Sequence, residues 1–212
     1  KEIENKSDFN LLISSERVKR IIEKVNFYGS DNGITRGLVF CSRKNEAIEL
    51  SNLFNLKGYK TIALTGDSYE EERAKAIERL ESDNLNEKLD YIFTVDIFNE
   101  GVDIPEIDTV LFLRPTESLT VFLQQLGRGL RLAEGKDCLT VLDFVGNSRP
   151  EYDFENKFRA LIGKTTTSVQ KEIEDDFPHL PLGCSIILEK KAKDTILENI
   201  KRATSLNINS DL

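Results

Sequence analysis

The sequence predicts an α/β fold: a largely parallel sheet with helices on both faces, followed by a helical C-terminal appendage. Three observations point to it. Short apolar runs alternate with segments of helical period as far as about residue 144. Several runs, such as Gly37-Leu-Val-Phe-Cys41, are continuously apolar, as strands buried on both faces are. Beyond Phe144 only helical periodicity remains. We divide the chain into a leading helical segment (1–35), an α/β domain (36–148) and a helical extension (149–212), with the last boundary among the turn-forming residues between Gly146 and Pro150.

Residues 11–28 form the first predicted helix. Leu11, Val18, Ile21, Ile22 and Val25 share a face, and the run Gly29-Ser-Asp-Asn-Gly33 ends it. Residues 37–41 are the first strand. Residues 44–56 are a helix with Ala47, Leu50 and Phe54 inward and Gly58 just past its end. Residues 61–65 are a strand, and 69–80 a helix that turns Ala76, Ile77 and Leu80 inward. Strands follow at 90–95, 109–113 and 139–144, with a helix over 116–131 between the last two. Helices over 152–161, about 167–174, and 189–202 complete the chain. No internal repeat or low-complexity tract is visible.

The chain has 212 residues, enough to bury a sizeable core, and 39% apolar and 31% charged residues, the balance of a soluble globular protein. No apolar run reaches bilayer length and no signal-peptide pattern opens the chain, so a cytoplasmic location without membrane contact is expected. The first residue is Lys, and we expect a piece of a longer polypeptide. Three cysteines, Cys41, Cys138 and Cys184, make neither a disulfide framework nor a zinc site. Cys41 and Cys138 lie in strand-like runs and are expected to be buried. The net charge is −8, so weak nucleic-acid binding is expected from this chain alone.

The segment 116–131 is the most informative. On a helix, Leu119, Phe122, Leu123, Leu126 and Leu130 make one apolar face. Gln124, Arg128 and Arg131 recur at i, i+4, i+7 and form one polar strip. Planar guanidinium groups suit a multiply charged phosphate. An Arg-x-x-Arg alone is usually a solvated helix face. The Gln and the glycines Gly127 and Gly129 at fixed offsets set this one apart.

The string Gln124-Gln-Leu-Gly-Arg-Gly-Leu-Arg131 resembles the sixth motif of superfamily 2 helicases. Thr94-Val-Asp-Ile-Phe-Asn-Glu-Gly-Val-Asp-Ile-Pro105 is similar to the fifth, and Gly37-Leu-Val-Phe-Cys-Ser42 to the fourth. Between the fourth and fifth, Ala63-Leu-Thr-Gly-Asp67 with Glu71-Glu-Arg73 is similar to a Gly-then-Glu-Arg stretch of the family. The matches stand in the family's order and cover about residues 36–146. The resemblance implies the second RecA-like motor domain of an ATP-driven nucleic-acid helicase or translocase of the DEAD/DEAH or restriction-enzyme-like group. It implies DNA in preference to RNA, and as partner the first RecA-like domain of the same polypeptide. The stretch Asp176-Phe-Pro-His-Leu-Pro-Leu-Gly183 is similar to a segment that follows the motor core in some large bacterial helicases.

By the same resemblance, Arg128 and Arg131 would be arginine fingers on the γ-phosphate, with Gln124 contacting nucleotide or water. Gly101, Asp103 and Gly127 would belong to the ATP site, Asp103 accepting a ribose hydroxyl. Asp96 would organise its loop. Ser42, Arg43, Thr65, Gly66 and Thr94 would contact the nucleic-acid backbone, since ligands of open α/β sheets bind beyond the carboxyl ends of the strands. Where the family often has Thr before the motif-five Asp, this chain has Val95, with Thr94 one position earlier.

The chain has no Gly-x-x-x-x-Gly-Lys-Ser/Thr. Gly163-Lys-Thr165 has Phe158 where that pattern needs its first Gly, and Thr140-Val-Leu-Asp143 lacks the Glu of a metal-binding strand end. ATP and Mg²⁺ are therefore expected as cofactors of the whole protein. We expect no metal site here, no tightly bound cofactor and no ATP hydrolysis by this chain alone. The single histidine, His179, reads as structural, and Lys190, Lys191, Lys193, Lys201 and Arg202 as a solvated helix face. Two other readings compete: a non-catalytic RecA-like interaction module, and a free-standing nucleotide-binding enzyme.

Overall fold

The computed structural model describes residues 13–29, 33–95, 104–114, 136–144, 153–163, 165–180 and 182–210, with side chains described as far as residue 203. The predicted helix over 116–131, the residue pairs Leu11 with Leu12 and Glu151 with Tyr152, and the loop 96–103 lie outside them.

Five strands, β1 (Gly37–Phe40), β2 (Thr61–Leu64), β3 (Tyr91–Thr94), β4 (Thr109–Phe112) and β5 (Thr140–Asp143), form one sheet in the order β2-β3-β1-β4-β5. Every pairing is parallel. Phe40 and Leu64 are both level with Thr94, so β1, β2 and β3 end at one height. All four residues of β1, β3 and β4 are buried, as the continuous apolar runs require. The edge strand β5 alternates half-buried and exposed residues instead.

Helices α1 (Ser15–Tyr28), α2 (Lys44–Leu56) and α3 (Glu70–Glu81) belong to this unit. Val18, Ile21 and Val25 of α1 and Ala47, Leu50 and Phe54 of α2 share one core with Val39, Cys41, Tyr91, Phe93 and Leu111. The leading helix is therefore built into the α/β core. It starts at Ser15, not at residue 11, because Ser14 caps it: the Ser14 hydroxyl accepts from the Arg17 amide at 3.3 Å. On the other face of the sheet, Phe40 stacks on Phe112 with ring centroids 5.5 Å apart.

Gly37 is one position where the fold demands glycine. A Cβ there would sit 2.2 Å from the Tyr91 ring, and Tyr91 is itself fully buried.

From residue 153 on, the described chain forms a second compact unit. Helices α4 (Phe154–Ile162), α5 (Val169–Glu174) and α6 (Lys190–Ser210) close on Phe154, Phe158, Ile162, Val169, Ile173, Phe177, Ile196 and Ile200. Asp153 and Ser168 cap α4 and α5. Helix α6 runs beyond the expected end at residue 202 to Ser210, since no Gly or Pro interrupts that stretch. Among the described residues no helix is long and apolar enough to cross a membrane.

Candidate nucleic-acid interface

The carboxyl ends of β1, β2 and β3 carry the expected backbone-contact residues, and the level register brings them to one edge. Ser42 and Arg43 follow β1 and are exposed. Arg43 is extended (φ −141°, ψ 148°) and precedes α2. Among the described residues its guanidinium makes no hydrogen bond or ion pair. Thr65 and Gly66 follow β2. Thr65 is nearly enclosed: its amide donates to the Ser68 hydroxyl at 3.0 Å, and its Oγ1 accepts from the Asp67 amide at 3.4 Å. Gly66 is exposed, and among the described residues its amide has no acceptor. Space around it is open, and its φ is not left-handed. The turn itself does not need glycine, whereas close approach of a ligand to the backbone would favour it.

The two loops meet. Lys44 Nζ, next to Arg43, lies 2.6 Å from Asp67 Oδ2, next to Gly66. The turn is held further by Arg73, which donates to the Gly66 carbonyl at 3.4 Å, and by Glu72, which accepts the Tyr69 amide at 3.1 Å. The Glu-Arg stretch thus serves to shape the Gly66 loop.

Thr94 differs from the others. It is fully buried, and its Oγ1 has no hydrogen-bond partner among the described residues. Its carbonyl accepts the Cys41 amide at 2.9 Å, which fastens the start of the Ser42 loop to β3. Cys41 beside it is fully buried, and burial pushes its thiol far up, so it stays a neutral, inert thiol. Cys138, expected to be buried, is exposed. It precedes β5, whose position at the sheet edge leaves the approach to the strand uncovered.

The opposite, amino end of the sheet consumes its own charges. The Arg36 amide donates to both Asp108 carboxylate oxygens at 3.1 and 3.0 Å, and Lys88 Nζ donates to the Thr35 carbonyl at 2.7 Å while pairing with Asp90 at 2.9 Å.

Gln124, Arg128, Arg131, Gly101, Asp103, Gly127 and Asp96 lie outside the described residues. Among the described residues no group of three or more His, Cys, Asp or Glu side chains is placed to hold a metal ion. His179 has a structural role: its Nδ1 lies 2.6 Å from Oε1 of the fully buried Glu172. Lys193 ties α6 to the end of α5 through Asp176 at 2.6 Å, while Lys190, Lys191, Lys201 and Arg202 stay exposed.

Sequence reasoning missed Glu46. This residue is fully buried and accepts the Ser42 amide at 2.8 Å, closing the first turn of α2. The local signal was weak: Ser42 stands four residues before Glu46, one more than in a capping box, and the N-cap is Arg43, whose side chain makes no cap bond.

Residues 15–133, more than half of the chain, match the family described as "Helicase conserved C-terminal domain". The chain belongs to this family. Its five-stranded sheet lies within the matched residues except for β5. Among relatives, "Putative ATP-dependent helicase IRC3" of Saccharomyces cerevisiae is 31% identical over 138 residues, covering 65% of this chain and 19% of that protein. "Putative mitochondrial ATP-dependent helicase irc3" of Schizosaccharomyces pombe is 39% identical over 113 residues, 53% of this chain and 18% of that protein. "ATP-dependent RNA helicase DBP3" of Ajellomyces capsulatus is 25% identical over 177 residues, 83% of this chain and 33% of that protein. The chain spans about a fifth of the length of the first two relatives.

Proposed function

We propose that this chain is the second motor domain of an ATP-dependent nucleic-acid helicase or translocase. It grips the nucleic-acid backbone at the carboxyl edge of β1 and β2 and supplies Arg128 and Arg131 to ATP bound by the first motor domain of the same polypeptide. One observation carries the reading: the Lys44–Asp67 contact joins two loops that present a guanidinium, on Arg43, and an exposed amide, on Gly66, neither of them bonded among the described residues. A phosphate diester asks for that pair of donors, one charged and one neutral. Ser42 adds an exposed hydroxyl, and Thr94 and Thr65 hold the edge from beneath.

The helicase family and ATP-dependent relatives support ATP as cofactor of the whole protein, and Mg²⁺ is proposed with it. DNA is the favoured strand. This choice follows from the resemblance of the motifs; relatives such as DBP3, at 25% identity, and drs1, at 30%, are named RNA helicases. In this reading Gln124 positions nucleotide or water, and Gly101, Asp103 and Gly127 line the ATP site.

The test uses the intact polypeptide carrying both motor domains. Arg128→Ala and Arg131→Ala each lower nucleic-acid-stimulated ATPase about a thousandfold, the usual contribution of an arginine finger, and leave ATP affinity largely intact. Arg43→Ala instead raises the nucleic-acid concentration that gives half-maximal stimulation. Unchanged turnover in both finger variants removes the motor reading. Stronger stimulation by single-stranded RNA than by single-stranded DNA reverses the choice of strand.

A further inference from the structure

Tyr69 closes the loop that carries Gly66, and nothing in the described fold uses its ring. It is 77% exposed, and among the described residues its hydroxyl makes no hydrogen bond and its ring no aromatic contact. The other described tyrosines differ: Tyr28 packs on Phe27, and Tyr59 and Tyr91 pack on Phe54 and on each other. Tyr69 is also the N-cap of α3, a position that favours Ser, Thr, Asp or Asn because their short side chains reach the free amides of the first turn. The Tyr69 side chain makes no cap bond, and the turn is closed from the other side, by Glu72 accepting the Tyr69 amide at 3.1 Å. A large ring stands in water where a small polar residue would stabilise the helix better.

Its surroundings point to a ligand. The Ser68 amide donates to the Thr65 carbonyl at 2.9 Å, so Tyr69 follows directly on the tight turn whose Gly66 is exposed. Lys44 Nζ ties that turn, at Asp67, to the loop of Arg43. The Arg43 side is anchored as well. The fully buried Glu46 accepts the Ser42 amide at 2.8 Å and Arg17 Nη1 at 2.9 Å, and Arg17 Nη2 donates to the Leu113 carbonyl at 3.0 Å. Exposed Glu70, Glu71 and Glu72 follow Tyr69 and repel phosphates, so affinity gained on this side must come without charge. Stacking of a base on an aromatic ring is such a contact.

We propose that Tyr69 is a stacking platform for an unpaired base of the strand whose backbone lies along Arg43 and Gly66. This rests on the motor reading above. Every base has a π-face, so the contact is indifferent to sequence. Bases stacked inside a duplex do not offer that face, so the platform favours a single strand.

The test again uses the intact polypeptide and reads the half-saturating single-stranded DNA concentration for ATPase stimulation. Tyr69→Ser removes the ring and supplies a capping hydroxyl. Half-saturation rises about tenfold, the scale of one lost base–aromatic stack, while the thermal midpoint stays at or above wild type. Tyr69→Phe keeps the ring and stays within about twofold, as for an ordinary surface change. A strand of the same length built with abasic sites binds wild type more weakly, and on that strand Tyr69→Ser costs nothing further. Equal losses on the abasic and the normal strand put Tyr69 on the backbone and overturn the proposal. A lowered thermal midpoint in Tyr69→Ser that Tyr69→Phe does not show marks a ring packed in the fold and overturns it as well. Wild-type half-saturation in Tyr69→Ser overturns it too, and leaves the motor reading standing as long as Arg43→Ala weakens binding and the Arg128 and Arg131 variants are inactive.

Discussion

Glu81, the last residue of α3, faces Glu106 in the turn before β4. Burial pushes the Glu81 carboxyl above the ordinary glutamate value. The charge of Glu106 and a hydrogen bond to it push the same way, while Arg36 pulls it back. A carboxyl whose pKa is raised on folding binds its proton more tightly in the folded state, so its contribution is fully present below the unfolded value and is lost as pH rises through the folded value. Glu81→Gln keeps a donor toward Glu106 and removes one charge. Its thermal midpoint is expected above wild type at pH 7, with the difference closing near pH 4, in paired melting curves at the two pH values. A wild-type midpoint that stays as high at pH 7 as the variant's would show that Arg36 already neutralises the pair. At the same scale, the places of Ser42, Arg43 and Gly66 just beyond strand ends were legible because each follows an apolar run, while their contact role came from the motif resemblance alone. Glu46 and Arg17 were not, because nothing local in sequence says that residues 17, 46 and 113 meet.

At the scale of elements, β1 shows how one residue sets a pairing. Gly37 opposes Tyr91 in the β1–β3 ladder, and the Tyr91 ring lies where a side chain on residue 37 would go. The ring has little room to yield, since Phe54 and Tyr59 pack edge-on against it at 6.0 and 5.9 Å. Gly37→Ala is expected to cost about 1–3 kcal/mol, the usual range for overpacking a filled core. A chemical denaturation midpoint checks this, and a loss below about half a kcal/mol, the level of an ordinary surface change, would mean that the ring relocates freely. The boundaries of elements were less readable than their existence. α1 begins where Ser14 satisfies the Arg17 amide, and α6 continues past residue 202 to Ser210. In both cases a cap or its absence decides, and tertiary packing fixes how far a marginal turn persists.

At the scale of the molecule, charge and function pull apart. A net charge of −8 opposes a polyanion, and the edge we assign to nucleic acid is flanked by Asp67 and the acidic first turn of α3, Glu70, Glu71 and Glu72. The isolated chain is therefore expected to bind single-stranded DNA only weakly, with a shallow dependence of affinity on salt because few phosphates are neutralised. Fluorescence anisotropy over a salt series reads both, and tight binding with a steep slope would place the grip on a basic surface other than this edge. The same chain is expected to release no phosphate from ATP above background.

The sequence by itself determined the alternation of strands and helices, the buried parallel character of β1, β3 and β4, and the motif order that names the family, because these depend on local periodicity and on residue types at fixed spacing. Only the tertiary structure decided the strand order β2-β3-β1-β4-β5, the incorporation of α1 into the core, the exposure of Cys138 at a sheet edge, and the meeting of Arg17, Glu46, Ser42 and Leu113. Those depend on which distant segments come together. Burial and charge pairing between residues far apart along the chain follow from that choice, and local pattern carries no record of it.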